Sequence, residues 1–190
     1  MLILERSVTK HYQIQMYRKL YRAIQQERYS KVGTAGVLLV TFGTRHRYYV
    51  ITVKDEGKLR PIAWLYLWQK KGWEAWEVMQ VFVFEKLRGK GLAKKLYSAA
   101  INLDSLIMTS GKTQSKHSRA LWSSFIRNNS YFVFAIDYWN LKDRSQVLWV
   151  DDEIWCQLDI YFVGDLEHQD RDVRLIATRK ENDNSISRRS

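Results

Sequence analysis

The run Val78-Met79-Gln80-Val81-Phe82-Val83-Phe84-Glu85-Lys86-Leu87-Arg88-Gly89-Lys90-Gly91-Leu92-Ala93-Lys94-Lys95-Leu96 holds the most chemically pointed spacing in the chain. An apolar strand passes through a short loop into a glycine-bearing turn that opens a helix. Glycine in such a turn lets backbone approach a ligand and takes up torsions closed to other residues. The first-turn amides of the helix have no intrahelical acceptors and lie at the positive end of its dipole, which suits a phosphate-sized anion. Lys90, Lys94 and Lys95 add positive charge beside it. The segment is not a P-loop, because the Gly-Lys-Ser/Thr ending is missing, and not a dinucleotide fingerprint, because the three-glycine spacing is missing. On physics alone the plainer reading is a tight strand–helix connection with a solvated lysine face.

Few other residues offer chemistry. The single cysteine, Cys156, excludes an intrachain disulfide framework and a Cys-rich zinc cluster, and its strand-like setting suggests a buried, inert thiol. His11, His46, His117 and His168 lack metal-ligand spacing, so no metal is expected. His117, near a helix start, could titrate near neutrality, although a solvated or capping role suits it better. Charge is the compositional oddity: 190 residues carry a net +11. Residues 1–60 contribute +8, residues 61–120 +6 and residues 121–190 −3. An anionic partner is therefore expected on the first two-thirds, with the excess in residues 1–60 outside the glycine motif.

These groups need a scaffold, and the hydrophobic pattern supplies one. Apolar or aromatic residues at 8, 12, 16, 17, 20, 21 and 24 predict an amphipathic helix from Ser7, a plausible cap, to Arg28. Lys10, Arg18, Lys19, Arg22 and Arg28 fall largely on its other face. Strands are predicted at Val37–Phe42, Tyr48–Lys54, Ile62–Gln69 and Glu77–Phe84, with Asp55-Glu56-Gly57-Lys58 as an antiparallel turn. The lone proline, Pro61, is expected at a strand start. Leu92, Leu96, Ala99 and Leu103 then predict a helix over Gly91–Leu103, followed by a strand at Leu106–Thr109 and a helix over Lys112–Asn129. Strands at Tyr131–Tyr138, Gln146–Val150, Ile154–Val163 and Val173–Thr178 close the body. The order predicts an α/β (α+β) fold with a mixed, mostly antiparallel sheet and helices on both faces. No repeat or linker interrupts it, so one domain over 1–178 and a disordered polar tail over 179–190 are expected. No stretch reaches the ~18 apolar residues of a membrane helix. The first residues show no signal-peptide pattern, and a soluble, reducing cytoplasm is the expected setting.

Arg88-Gly89-Lys90-Gly91-Leu92-Ala93 resembles the acetyl-CoA signature of the GNAT N-acetyltransferase superfamily, (Gln/Arg)-x-x-Gly-x-(Gly/Ala), with Arg88, Gly91 and Ala93 in its fixed places. The preceding strand, the helix and the strand–helix unit at 106–129 match the family's context. The stretches Ser115–Trp122 and Asp172–Ala177 look like the bacteriophage-encoded branch, whose members would work in the host cytoplasm. The resemblance implies acetyl-CoA or another acyl-CoA as cofactor. Backbone groups of Val81, Phe82 and Val83 would pair with the pantetheine arm. Amides from Gly89 through Lys94, including Leu92 and Ala93, would hold the pyrophosphate, and Arg88 would brace the loop. Ser115 and Gln114 would stand beside the cofactor.

The family's reaction implies a general base for the amine, a donor for the developing oxyanion and an acid for the leaving thiolate. Glu77, at the head of the cofactor strand, is the first candidate base and Glu74 the second. Many members place a tyrosine acid on the following helix, where this chain has Trp122, whose indole cannot serve. Tyr97, Tyr131 and Tyr138 are substitutes by residue type, with Tyr138 the one carried forward. The leading expectation is an N-acyltransferase acting on an unknown amine: a protein, a small amine or a modified base. The alternative is a non-catalytic protein of the same fold that binds a host protein or nucleic acid through its basic surface.

Overall fold

A computed structural model describes residues 2–33, 36–110, 116–127, 131–137, 148–149 and 173–179. The chain divides into two compact units, Met1–Leu67 with Gln80–Ala99, and Trp68–Met79 with Ala100–Ser190.

In the first unit, helix α1 (Leu2–Gln25) is followed by strands β1 (Ser30–Val32), β2 (Val37–Thr41), β3 (His46–Asp55) and β4 (Lys58–Trp68). Next come the second half of β5 (Trp76–Val83) and helix α2 (Leu92–Ser98). The strands lie in chain order from β1 to β5, and the β1–β2 and β2–β3 pairs are antiparallel. α1 presses Met16, Leu20, Ala23 and Ile24 onto Leu38, Val40, Tyr48, Val50 and Trp64. This is the predicted amphipathic stripe, with Ala23 joining it and Tyr12 left 41% exposed. Tyr49 and Ile51 on β3 are buried too, so both faces of that strand are covered. α2 packs against β3. Leu20 is fully buried at the centre of the α1 contact. Leu20→Ala should therefore cost about 2–5 kcal/mol, read from denaturant midpoints at constant slope.

Several boundaries differ from the expected ones. α1 begins at Leu2, ahead of Ser7, and stops at Gln25. It stops because Glu27 adopts φ 57° and the chain closes with Arg28 N–H to the Ala23 carbonyl (2.9 Å) and Glu27 N–H to the Ile24 carbonyl (3.0 Å). That is the Schellman geometry, which usually recruits glycine and here does not. β1 was not expected. Pro61 lies inside β4 rather than at its start. Next to it, the Phe84 N–H just past β5 bonds the Ile62 carbonyl at 3.2 Å.

In the second unit the first half of β5 is followed by β6 (Met108–Thr109), helix α3 (Lys116–Ile126), β7 (Tyr131–Asp137), β8 (Leu148–Trp149) and β9 (Val173–Arg179). The strand order is β5-β6-β9-β7-β8. β5 and β6 run parallel; β6–β9, β7–β9 and β7–β8 are antiparallel. Trp122 and Phe125 of α3 are fully buried, and Phe125 meets Tyr131 edge-on at 5.1 Å. The predicted single helix over 91–103 is instead α2 continued by a π-helical turn at Ala99–Leu103. The architecture is thus a mixed α/β fold whose sheet is mostly antiparallel, as expected. Arg179, placed in the tail by sequence, still belongs to β9. The strand expected at 154–163 and residues 180–190 lie outside the described residues.

Candidate acyl-donor site

The glycine motif lies wholly in the first unit. Side chains of β5 alternate as a strand requires. Phe82 stacks on Trp64 at 4.1 Å, and Gln80 accepts from the Trp64 indole at 3.4 Å, so this parity is committed to the core beneath α1. Phe84 continues the packing edge-on to Phe82 (5.2 Å) and Tyr17 (6.0 Å). Val81 and Val83 take the other parity and are half-buried. The core therefore fixes the strand by every second side chain.

After β5 a single 3-10 turn, Glu85–Leu87, reverses the chain. Arg88 Nε donates to the Val83 carbonyl at 3.4 Å and spans the turn back to the strand. Gly89 (φ 76°) and Gly91 (φ 73°, ψ 6°) are both left-handed, and Gly91 is the N-cap of α2. A side chain at Gly91 would meet nothing within 4 Å, so glycine is required by torsion and not by crowding. The helix's first bond runs from Lys95 N–H to the Gly91 carbonyl at 3.0 Å, which leaves the Leu92, Ala93 and Lys94 amides without intrahelical acceptors. Lys90, Lys94 and Lys95 are exposed, and none forms an ion pair among the described residues. Open space, free donors and uncompensated cations together fit an anionic group the size of a pyrophosphate.

In the second unit, the first half of β5 is held by β6 in the register Trp76↔Met108 and Glu77↔Thr109, with Trp76 N–H bonded to the Ile107 carbonyl at 2.8 Å. On its other side β6 pairs with β9 in the register Met108↔Ala177 and Thr109↔Ile176, and Ser110 and Leu175 continue that side with two hydrogen bonds of 2.8 and 3.0 Å. Glu77 is half-buried on this strand. Its neighbour Thr109 is buried, and the Thr109 hydroxyl has no hydrogen-bond partner among the described residues. Nothing in the motif signalled this threonine; only the strand register brings it beside Glu77. Glu74 is exposed on the loop before β5, its carbonyl accepting from Gln69 at 3.4 Å.

The tyrosine candidates separate clearly. Tyr97 is fully buried on α2. Tyr131 is buried and accepts from Asn102 Nδ2 at 3.0 Å. Trp122, expected from the resemblance near the acid's place, is fully buried edge-on to Phe125 at 5.9 Å, a packing role. Tyr138, Gln114, Ser115 and Cys156 lie outside the described residues, as does the side chain of His117. A further phenol pair, Tyr48 stacked on Tyr66 at 4.5 Å, lies under α1, with the Tyr66 hydroxyl 2.8 Å from His46 Nδ1. Burial first, then the neighbouring phenols, pushes Tyr48 well above the ordinary tyrosine range, and burial raises Tyr66. Both are thereby poorer proton donors than a free phenol.

Residues 10–105 match the model of the acetyltransferase (GNAT) family. The chain belongs to that family. A general acyltransferase function goes with this membership. No curated protein matches the chain. Among solved structures it is similar to a Bacteroides thetaiotaomicron protein described as a GNAT-family acetyltransferase, at 12% identity and a TM-score of 0.39, over 76% of this chain and 69% of that one. It is also similar to the IAA acetyltransferase of Bacillus cereus ATCC 14579, at 22% identity and a TM-score of 0.34, over 71% and 78%. No helix among the described residues is long and apolar enough to cross a membrane.

Proposed function

We propose that this GNAT protein is an N-acyltransferase that takes an acetyl group, or a related acyl group, from its CoA thioester to an amine by direct attack. The observation that carries the proposal is the β5–turn–α2 unit inside the family match: two left-handed glycines, open space above them, free helix amides and exposed lysines. In this reading the backbone of Val81, Phe82 and Val83 pairs with the pantetheine arm, and Phe82 anchors that backbone through its stack on Trp64. Gly89, Lys90, Gly91, Leu92, Ala93 and Lys94 hold the pyrophosphate, and Arg88 keeps the turn against β5. Bound acyl-CoA supplies the activated carbonyl and a thiolate leaving group. Glu77 takes the proton from the attacking amine, so that the nitrogen forms its amide bond as the carbon–sulfur bond breaks. Tyr138 and Ser115 stay in the proposal as the thiol acid and a cofactor neighbour. Residues 115–122 and 172–177 support the further reading of a bacteriophage-encoded member acting in a host cytoplasm.

The test is thermal unfolding with and without acetyl-CoA. Ligand at a hundredfold excess over Kd stabilises the folded state by about 2.7 kcal/mol. For a chain of this size each kcal/mol moves Tm by about 2–4 °C. A shift of several degrees with acetyl-CoA, and release of free thiol on adding an amine, is the expected pair of results. No shift at millimolar acetyl-CoA would overturn the proposal. A shift without thiol release over amine and protein panels would favour a binding protein of the same fold.

A further inference from the structure

Most of the chain's positive charge has no part in the glycine motif, and the first unit shows where some of it gathers. α1, the turn after it and Phe42, just past β2, border an open concavity of about 560 Å³. Its lining includes Gln15, Arg18, Lys19, Arg22, Arg28 and Phe42, with no carboxylate among its residues. Arg18 and Arg22 are four apart on α1 and therefore share a face. The Schellman turn folds Arg28 back into the same hollow, with its N–H held by the Ala23 carbonyl at 2.9 Å. Lys19 Nζ rests 3.9 Å above the Phe42 ring. None of the four cations forms an ion pair among the described residues, where Arg60 pairs with Asp55 and Glu56 instead. Four cations facing one hollow repel each other, and the arrangement is stabilised by an anionic occupant.

We infer that this concavity docks an acidic segment of a protein partner. Its charge calls for an anion, and its shape and rings choose among anions. Phe42 is the one aromatic ring among the lining residues, and it is already engaged, with Lys19 over it at 3.9 Å and Tyr48 packed against it at 5.4 Å, so the hollow offers no series of stacking rings. Single-stranded nucleic acid depends on such stacking platforms. A duplex is read by a projecting helix or ribbon, not by a hollow. Carboxylates on an extended peptide need only what is present: guanidinium forks, an ammonium and the Gln15 and Gln26 amides.

The experiment is fluorescence anisotropy with a short labelled peptide of glutamate and serine, using the full chain without acyl-CoA. A neutral peptide of equal length and a single-stranded oligothymidylate serve as the other arms. The acidic peptide should bind, weaken steeply with added salt, and outbind both alternatives. Arg18→Glu/Arg22→Glu should lose affinity by roughly tenfold or more. Lys54→Glu, an exposed β3 charge outside the hollow, should bind as the parent does. Arg18→Gln/Arg22→Gln carries the same test if the reversed pair loses its near-ultraviolet signal. The inference is overturned if the acidic peptide does not bind, if the arginine and Lys54 variants lose affinity alike, or if the oligonucleotide binds more tightly. Because acyl-CoA is absent from the assay, its failure leaves the acyl-transfer proposal untouched, and the reverse holds too.

Discussion

Gly91→Glu should abolish acetyl-CoA binding while leaving a folded protein. The position separates the two outcomes well. A side chain there meets nothing within 4 Å, so no neighbour has to move. The fold pays only for a non-glycine residue at φ 73°, about 1–2 kcal/mol, a fraction of a domain's typical stability. The ligand would face far more. A carboxylate would stand among the Leu92, Ala93 and Lys94 amides and the Lys90, Lys94 and Lys95 cations, occupying the donors and repelling the pyrophosphate. Calorimetric titration should give no measurable heat with acetyl-CoA, and the cofactor-dependent rise in Tm should vanish. Gly91→Ala supplies the matched control, because it carries the torsional cost without the charge and should retain part of the affinity. Parental affinity in folded Gly91→Glu would remove the turn from the binding site.

Much of this turn could be seen in the sequence because its signals are local. The continuous apolar run Val81-Phe82-Val83-Phe84 gives way to intervals of four and three at Leu92, Leu96 and Ala99, and glycines mark the change. The same logic recovered the buried stripe of α1. What escaped depends on bonds between distant residues or on rare local choices. Glu27 takes the left-handed torsion that glycine usually advertises, so the helix end gave no sign. β1 has three residues, too few for a period to emerge. Pro61 sits within β4, and a proline beside an apolar run does not by its type tell a strand start from a strand interior.

The candidate site divides in the same way. The phosphate-sized turn is built from consecutive residues of the first unit, whereas the surroundings of Glu77, in the second, are assembled by register. Thr109 becomes the neighbour of Glu77 only through the parallel β5–β6 pair. The basic hollow was half visible, as cations on one face of a helix. Phe42, which helps to line it, comes from the loop just past β2. Tyr97 looked available by type, and only the packing of α2 shows it to be fully buried.

Glu77→Gln should separate chemistry from cofactor binding. Glu77 lies on a strand pinned by β6, with Trp76 bonded to the Ile107 carbonyl at 2.8 Å, so its Cα is set by sheet and not by loop. The amide is nearly isosteric and keeps a hydrogen-bonding oxygen, but it cannot accept the amine's proton. Loss of a positioned general base costs about a hundredfold to ten-thousandfold in rate. Thiol release should fall by that order, while acetyl-CoA affinity and its thermal stabilisation remain parental, because the anion-holding turn belongs to other residues. The deficit should narrow with acceptors whose amines are largely neutral at the assay pH, since these need less from a base. A purely structural Glu77 would show a different pattern, with Tm falling in the absence of ligand and the rate falling equally for every acceptor. A parental rate with all acceptors would take Glu77 out of the chemistry and turn the search for the base to Glu74.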